Sequence, residues 1–188
     1  MSHSISYIWS RIFITFNSWY MTKNVLHRFA DVRHFVFDVD GVLTDSNLLL
    51  TENGELLRTM NTRDGYALKA ALHQQFSVLI ITGGESDGVR KRLSRLGVSN
   101  IHTGIEDKLT VFREIIQANQ WDPTQILYMG DDLPDLEIMR EVAIPCCPAD
   151  AAEEIKALSV YTSPHAGGRG CVRDIIEKVL KIQGKWGI

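Results

Sequence analysis

Asp38 and Asp40 stand two residues apart at the end of an apolar run, His34-Phe35-Val36-Phe37, and Gly41 follows at once. Residues two apart on a strand point the same way, so a strand running through both would start them on one face. Two carboxylates held close repel each other, and the repulsion is relieved by a proton or by a nearby cation. A structural turn is the plain alternative. A second acidic group, Gly130-Asp131-Asp132-Leu133-Pro134-Asp135, also follows an apolar run. Five aspartates gathered at one place suit a hard cation with oxygen ligands, and magnesium binds through one or two carboxylates plus substrate phosphate and water. A calcium loop fits poorly: an EF-hand needs glycine at its sixth position and glutamate at its twelfth, whereas Gly41 is fourth counting from Asp38. A helix N-terminus, where aspartate and proline are favoured, explains Asp132 or Asp135 well and three aspartates together less well.

Two further residues complete a set able to handle phosphate. Thr82 closes the apolar run Val78–Thr82 and precedes Gly83-Gly84; a hydroxyl and free amides at a strand end suit phosphoryl oxygens. Lys108 follows Glu106-Asp107 at the start of a helical pattern. A cation there opposes the helix dipole at a cost of about 0.3–1 kcal/mol, and a local rule broken without local benefit marks a functional site. A glycine turn and a solvated lysine are the plain readings of these two.

The elements that would position these groups alternate. Strands are predicted over Phe35–Val39, Val78–Thr82, Asn100–His102, Ile126–Met129, Val142–Pro145 and Val160–Thr162, and helices over Gly65–His73, Asp87–Leu96, Leu109–Ala118, Leu133–Arg140, Ala151–Leu158 and Val172–Ile182. This pattern implies an α/β fold, a Rossmann-like parallel sheet with helices on both faces. Ligands of such sheets bind beyond the carboxyl ends of the strands, where Asp38, Thr82 and Asp131 all fall.

One segment breaks the alternation. Asn47–Leu50 and Glu55–Met60 flank Asn53-Gly54, a strong hairpin signal. A two-residue turn would pair Leu50 with Leu57 and Leu49 with Arg58. Leu48, Leu50 and Leu57 would then share one face, and Leu49, Leu56 and Met60 the other. A hairpin apolar on both faces is marginal alone; it packs on a second copy of the chain or folds back on its own domain. Only 46–63 separates the first strand's loop from the next helix, and no long insertion follows Thr82, so no cap domain is expected.

Composition sets the outer bounds. The 188 residues suffice for one domain, and the net charge of −3 offers no broad basic surface to nucleic acid. Cys146, Cys147 and Cys171 are too few for a disulfide framework and lack zinc-ligand spacing, which suits a reducing cytoplasm. Residues 1–24 are rich in aromatics and isoleucine, but Arg11 interrupts the run, so it is too short to span a bilayer. They read as an accessory extension outside a core domain of 25–188, with an interfacial helix or a targeting segment as alternatives.

Taken in order, Asp38-Val39-Asp40-Gly41-Val42-Leu43-Thr44-Asp45, Thr82, Lys108 and Gly130-Asp131-Asp132 resemble the four motifs of the haloacid dehalogenase-like phosphohydrolases. The hairpin, Asn61-Thr62-Arg63-Asp64-Gly65-Tyr66 and Gly167-Gly168-Arg169-Gly170 are similar to the capless branch typified by 3-deoxy-D-manno-octulosonate 8-phosphate phosphatases. The resemblance covers about 31–186. It implies a magnesium-dependent phosphatase acting through an aspartyl phosphate in lipopolysaccharide precursor synthesis. Asp38 would be the nucleophile and Asp40 the acid and base. Thr82, Gly83 and Lys108 would hold the phosphoryl oxygens. Asp38, the Asp40 carbonyl and Asp131 would bind magnesium. It further implies a homotetramer joined through the 47–60 hairpin, with Arg63 and Arg169 contacting the carboxylate or phosphate of a phosphorylated keto sugar acid. The branch often carries arginine directly after the Thr-Gly pair; Gly84 stands there in this chain, so a substrate contact is lost or moved. A phosphatase of nine-carbon keto sugar acid 9-phosphates is the alternative within the chemistry, and an inactive oligomeric binding module the alternative outside it.

Overall fold

The computed structural model describes residues 25–187, so the extension expected over 1–24 lies outside the described residues. After a helical stretch at 25–31 (α1), the chain alternates strand and helix. The strands of the main sheet are β1 (His34–Phe37), β4 (Ser77–Ile81), β5 (Asn100–His102), β6 (Ile126–Met129), β7 (Ile144–Cys147) and β8 (Tyr161–Thr162). They form one six-stranded sheet in the order β5-β4-β1-β6-β7-β8, every pairing parallel. The helices are α2 (Thr62–His73), α3 (Asp87–Arg95), α4 (Lys108–Asn119), α5 (Leu136–Glu141), α6 (Glu153–Leu158) and α7 (Cys171–Ile182).

Strand alternation divides the core in two. Phe35, Phe37, Val78, Ile80, Leu127 and Met129 face one side, where they meet side chains of α2, α3 and α7. Val36, Leu79, Ile81, Ile126 and Tyr128 face the other, against α4, α5 and α6. A sheet so covered explains the continuous apolar runs, since neither face of the central strands meets water. The α/β class, the parallel sheet and the helices on both faces are as the sequence implies.

Register fixes the site. Phe37 lies opposite Ile80 on one side and Met129 on the other. Asp38 therefore leaves the sheet level with Ile81 and Gly130, one residue short of Thr82 and Asp131.

Three sequence expectations need correction. β1 stops at Phe37, because the amides of Val42, Leu43 and Thr44 all turn back to the Val39 carbonyl; Asp38 and Asp40 are not two positions of one strand. β7 begins two residues later than predicted, which places Cys146 and Cys147 inside a buried strand. The hairpin, β2 (Leu49–Leu50) and β3 (Leu56–Leu57), pairs Leu49 with Leu57 and Leu50 with Leu56. Its turn closes between Thr51 and Glu55, three residues enclosing Gly54 at φ +80°, and the one-residue slip reassigns every face. Leu49 and Leu57 share one face, Leu50 and Leu56 the other. The five leucines of the hairpin are 42–67% exposed, and no further domain stands over the strand ends among the described residues.

Candidate active site

The strand-end carboxylates sit in a buried polar network. Asp38 is 6% exposed, and its Oδ2 takes the Lys108 ammonium at 3.0 Å. Lys108 Nζ also reaches Asp135 Oδ1 at 2.8 Å. Tyr128 donates its hydroxyl to that same oxygen at 2.6 Å, and the Asp131 amide donates to Asp135 Oδ2 at 3.1 Å. Asp135 thus accepts on both oxygens and acts as the anchor of Lys108. Lys108 opens α4, capped by Asp107, and its side chain runs inward rather than to solvent.

Burial, then the Asp135 charge, push the Asp38 carboxyl up to about 6, with Lys108 opposing. Burial, then the charges of Asp38, Asp135 and Asp132, push Asp131 up to about 8, again against Lys108. For Lys108 burial acts to lower the pKa, but the two carboxylates outweigh it and the net shift is upward. One lysine does not balance this much negative charge.

Carboxylate oxygens of Asp38, Asp131 and Asp135 come within 4.8 Å of one another. Asp38 Oδ1 is buried with no hydrogen-bond partner, and an orphaned anionic oxygen of that kind is a strong candidate for a cation ligand. Because Asp135 already takes donors on both oxygens, Asp38 and Asp131 are the carboxylates more open to a divalent ion. Gly41, at φ +92°, makes the arrangement possible: a Cβ there would lie 1.9 Å from Asp131 Oδ2.

The other predicted residues divide. Thr82 is buried directly after β4, its hydroxyl accepting from the Gly84 amide at 3.3 Å, and Gly83 follows it at the same strand end. Asp40 is engaged elsewhere: Arg58 Nε donates to its Oδ1 at 2.7 Å and Nη2 to its Oδ2 at 2.9 Å. Asp132 caps the 3-10 turn Leu133–Asp135 instead of joining the cluster. Arg63 and Arg169 line a cavity of about 490 Å³ with Arg173, Lys178 and Lys181, none of whose lining residues belongs to the Asp38 cluster. Arg169 pairs with Asp45 at 3.1 Å, and its loop lies against the aspartate loop through the Gly168 amide on the Val42 carbonyl. Sequence reasoning missed Arg58, Tyr128 and the anchoring part of Asp135. The spacing of Asp131 and Asp135 was a signal for the last; none was present for Arg58.

The fold is of the haloacid dehalogenase-like class. The solved structure of a Legionella pneumophila protein described as a haloacid dehalogenase (HAD) superfamily (subfamily III A) hydrolase matches it with a TM-score of 0.87 at 27% identity, covering 90% of this chain and 93% of that one. The 3-deoxy-D-manno-octulosonate 8-phosphate phosphatase KdsC of Escherichia coli K12 is 34% identical over 165 residues, 88% of each chain. The Moraxella catarrhalis enzyme of that name, solved with magnesium, phosphate and a KDO molecule, is 31% identical with a TM-score of 0.84, over 87% of this chain and 94% of that one. No family model matches the chain. The chain belongs to the 3-deoxy-D-manno-octulosonate 8-phosphate phosphatase family of the HAD superfamily.

Proposed function

We propose that the chain is a magnesium-dependent phosphomonoesterase that hydrolyses 3-deoxy-D-manno-octulosonate 8-phosphate to the sugar acid and inorganic phosphate, in the cytoplasm and for lipopolysaccharide precursor synthesis. The observation that carries the reading is Asp38: one oxygen held by Lys108, the other buried and unpartnered, in a carboxylate gathered within 4.8 Å of those of Asp131 and Asp135. A carboxylate held this way has one oxygen open to the cation and the other, fixed in direction by Lys108, placed for attack.

In this reading an Asp38 oxygen attacks phosphorus, the ester bond breaks, and Asp40 gives a proton to the departing sugar oxygen. In the second step Asp40 takes a proton from water as the water attacks the aspartyl phosphate, which returns Asp38 and releases phosphate. Thr82, the Gly83 amide and Lys108 hold the phosphoryl oxygens in place, the positioning and charge neutralisation that phosphoryl transfer chiefly requires. Asp38, the Asp40 backbone carbonyl and Asp131 would hold magnesium, which supplies positive charge against the phosphoryl group.

The active assembly is a homotetramer joined through the 47–60 hairpins, a reading supported by the five exposed leucines. Arg63 and Arg169, outside their own Asp38 cluster, serve a neighbouring subunit's substrate. Replacing Asp38→Asn is expected to abolish phosphate release from the sugar acid phosphate while the circular dichroism spectrum stays unchanged. Substantial residual turnover would remove Asp38 as the nucleophile.

A further inference from the structure

Asp40 does not stand free to meet a leaving group. Arg58, at the root of the hairpin, holds both of its carboxylate oxygens in one fork, at 2.7 and 2.9 Å. Thr44 Oγ1 adds a third, longer contact to Oδ1 at 3.3 Å. The two residues are 18 apart in sequence, and the fork ties the hairpin to the aspartate loop. Gly84 gives it room: a Cβ at that position would stand 2.7 Å from Asp40 Oδ2 and 2.9 Å from Arg58 Nη2.

Bidentate arginine–carboxylate pairs are among the strong side-chain contacts. With both oxygens engaged, Asp40 cannot turn one toward a leaving alcohol. Simply pulling the pair apart leaves two partly buried charges unmatched, which is costly. A second carboxylate lowers that barrier, because the same planar fork fits it equally well. Room for such a ligand exists beside the fork. Arg58 also lines a cavity of about 470 Å³ between the hairpin and α3, with Leu56, Met60, Ser86 and Arg92 on its walls.

We propose that Arg58 is a substrate-operated latch. The carboxylate of a phosphorylated sugar acid, seated between the hairpin and α3, draws Arg58 off Asp40 and leaves Asp40 able to reach the departing oxygen. This inference rests on the phosphatase reading above and assigns the preference for acidic sugars to the hairpin. A sugar phosphate without a carboxylate leaves the latch shut.

The test compares the full-length chain and Arg58→Ala, with magnesium, on 3-deoxy-D-manno-octulosonate 8-phosphate and on glucose 6-phosphate. The variant is expected to lose roughly 10- to 100-fold in kcat/KM on the sugar acid, mostly through a raised KM, the scale of losing a charge-assisted hydrogen-bond pair. On glucose 6-phosphate its kcat is expected to rise. Arg58→Lys, which keeps the charge without the fork, falls between the two and carries the comparison if the alanine variant does not fold. Parallel loss on both substrates, or no change on either, overturns the latch while leaving the phosphatase reading intact. A wild-type chain inert on every sugar phosphate overturns that reading and the latch with it.

Discussion

Between pH 3.8 and about 6 for Asp38, and up to about 8 for Asp131, the folded protein holds protons that the unfolded chain has released. Burial raises both, to about 6 and about 8, from a reference of 3.8. In the metal-free protein the contribution of these carboxyls to stability is full below pH 3.8 and is lost as pH rises through about 6 and then about 8. A divalent ion takes the place of the protons, so its binding strengthens over the same interval. Magnesium is therefore expected to raise the melting temperature more at pH 8 than at pH 6, and Asp131→Asn to remove most of that gain. Thermal melting at both values checks it; a gain that is equal, or larger at pH 6, contradicts the assignment of these carboxyls to the ion. Asp38, Thr82, Lys108 and Asp131 were legible in the sequence because each stands where an apolar run ends or a helix begins. Asp135 was legible as a member of the acidic group, but its part as the anchor of Lys108 was masked by its likeness to an ordinary helix N-terminal aspartate. Arg58 was hidden because its partner depends on where the hairpin folds.

The hairpin is the element whose details sequence could not resolve. Asn53-Gly54 signals a turn with positive φ at the glycine, and that requirement is common to a two-residue turn and to the three-residue turn observed. The dipeptide locates the turn without fixing its register. The observed register sets Leu49 across from Leu57 on one face. Burying a leucine is worth about 1.5–3 kcal/mol, so a self-association that covers several of these side chains is strongly driven. Sedimentation at micromolar concentration is expected to show a tetramer for the native chain and a monomer for the Leu49→Asp, Leu57→Asp double variant. A native monomer would contradict assembly through the hairpin. The end of β1 was misjudged for a related reason. Val39 continues the apolar pattern, but its carbonyl is the acceptor on which the following loop closes, so the strand pairing stops at Phe37.

At the scale of the molecule, one register brings the chemistry together. β4, β1 and β6 are adjacent and parallel, so residues from three distant parts of the sequence emerge at one edge of the sheet. That convergence was readable from strand–helix alternation, because a parallel sheet covered on both faces leaves little other arrangement. What alternation does not encode is which charges meet once the strands end. The buried Tyr128–Asp135–Lys108–Asp38 chain and the Arg58–Asp40 fork emerge only from packing. The central claim, a magnesium-dependent phosphatase of an eight-carbon keto sugar acid phosphate, is tested most directly by phosphate release from a panel of sugar phosphates with and without magnesium. The panel includes the eight-carbon acid 8-phosphate and the nine-carbon acid 9-phosphates. Strong preference for the eight-carbon acid, lost when magnesium is removed, is the result expected. Release that favours a nine-carbon acid, persists without magnesium or fails on every substrate would contradict it.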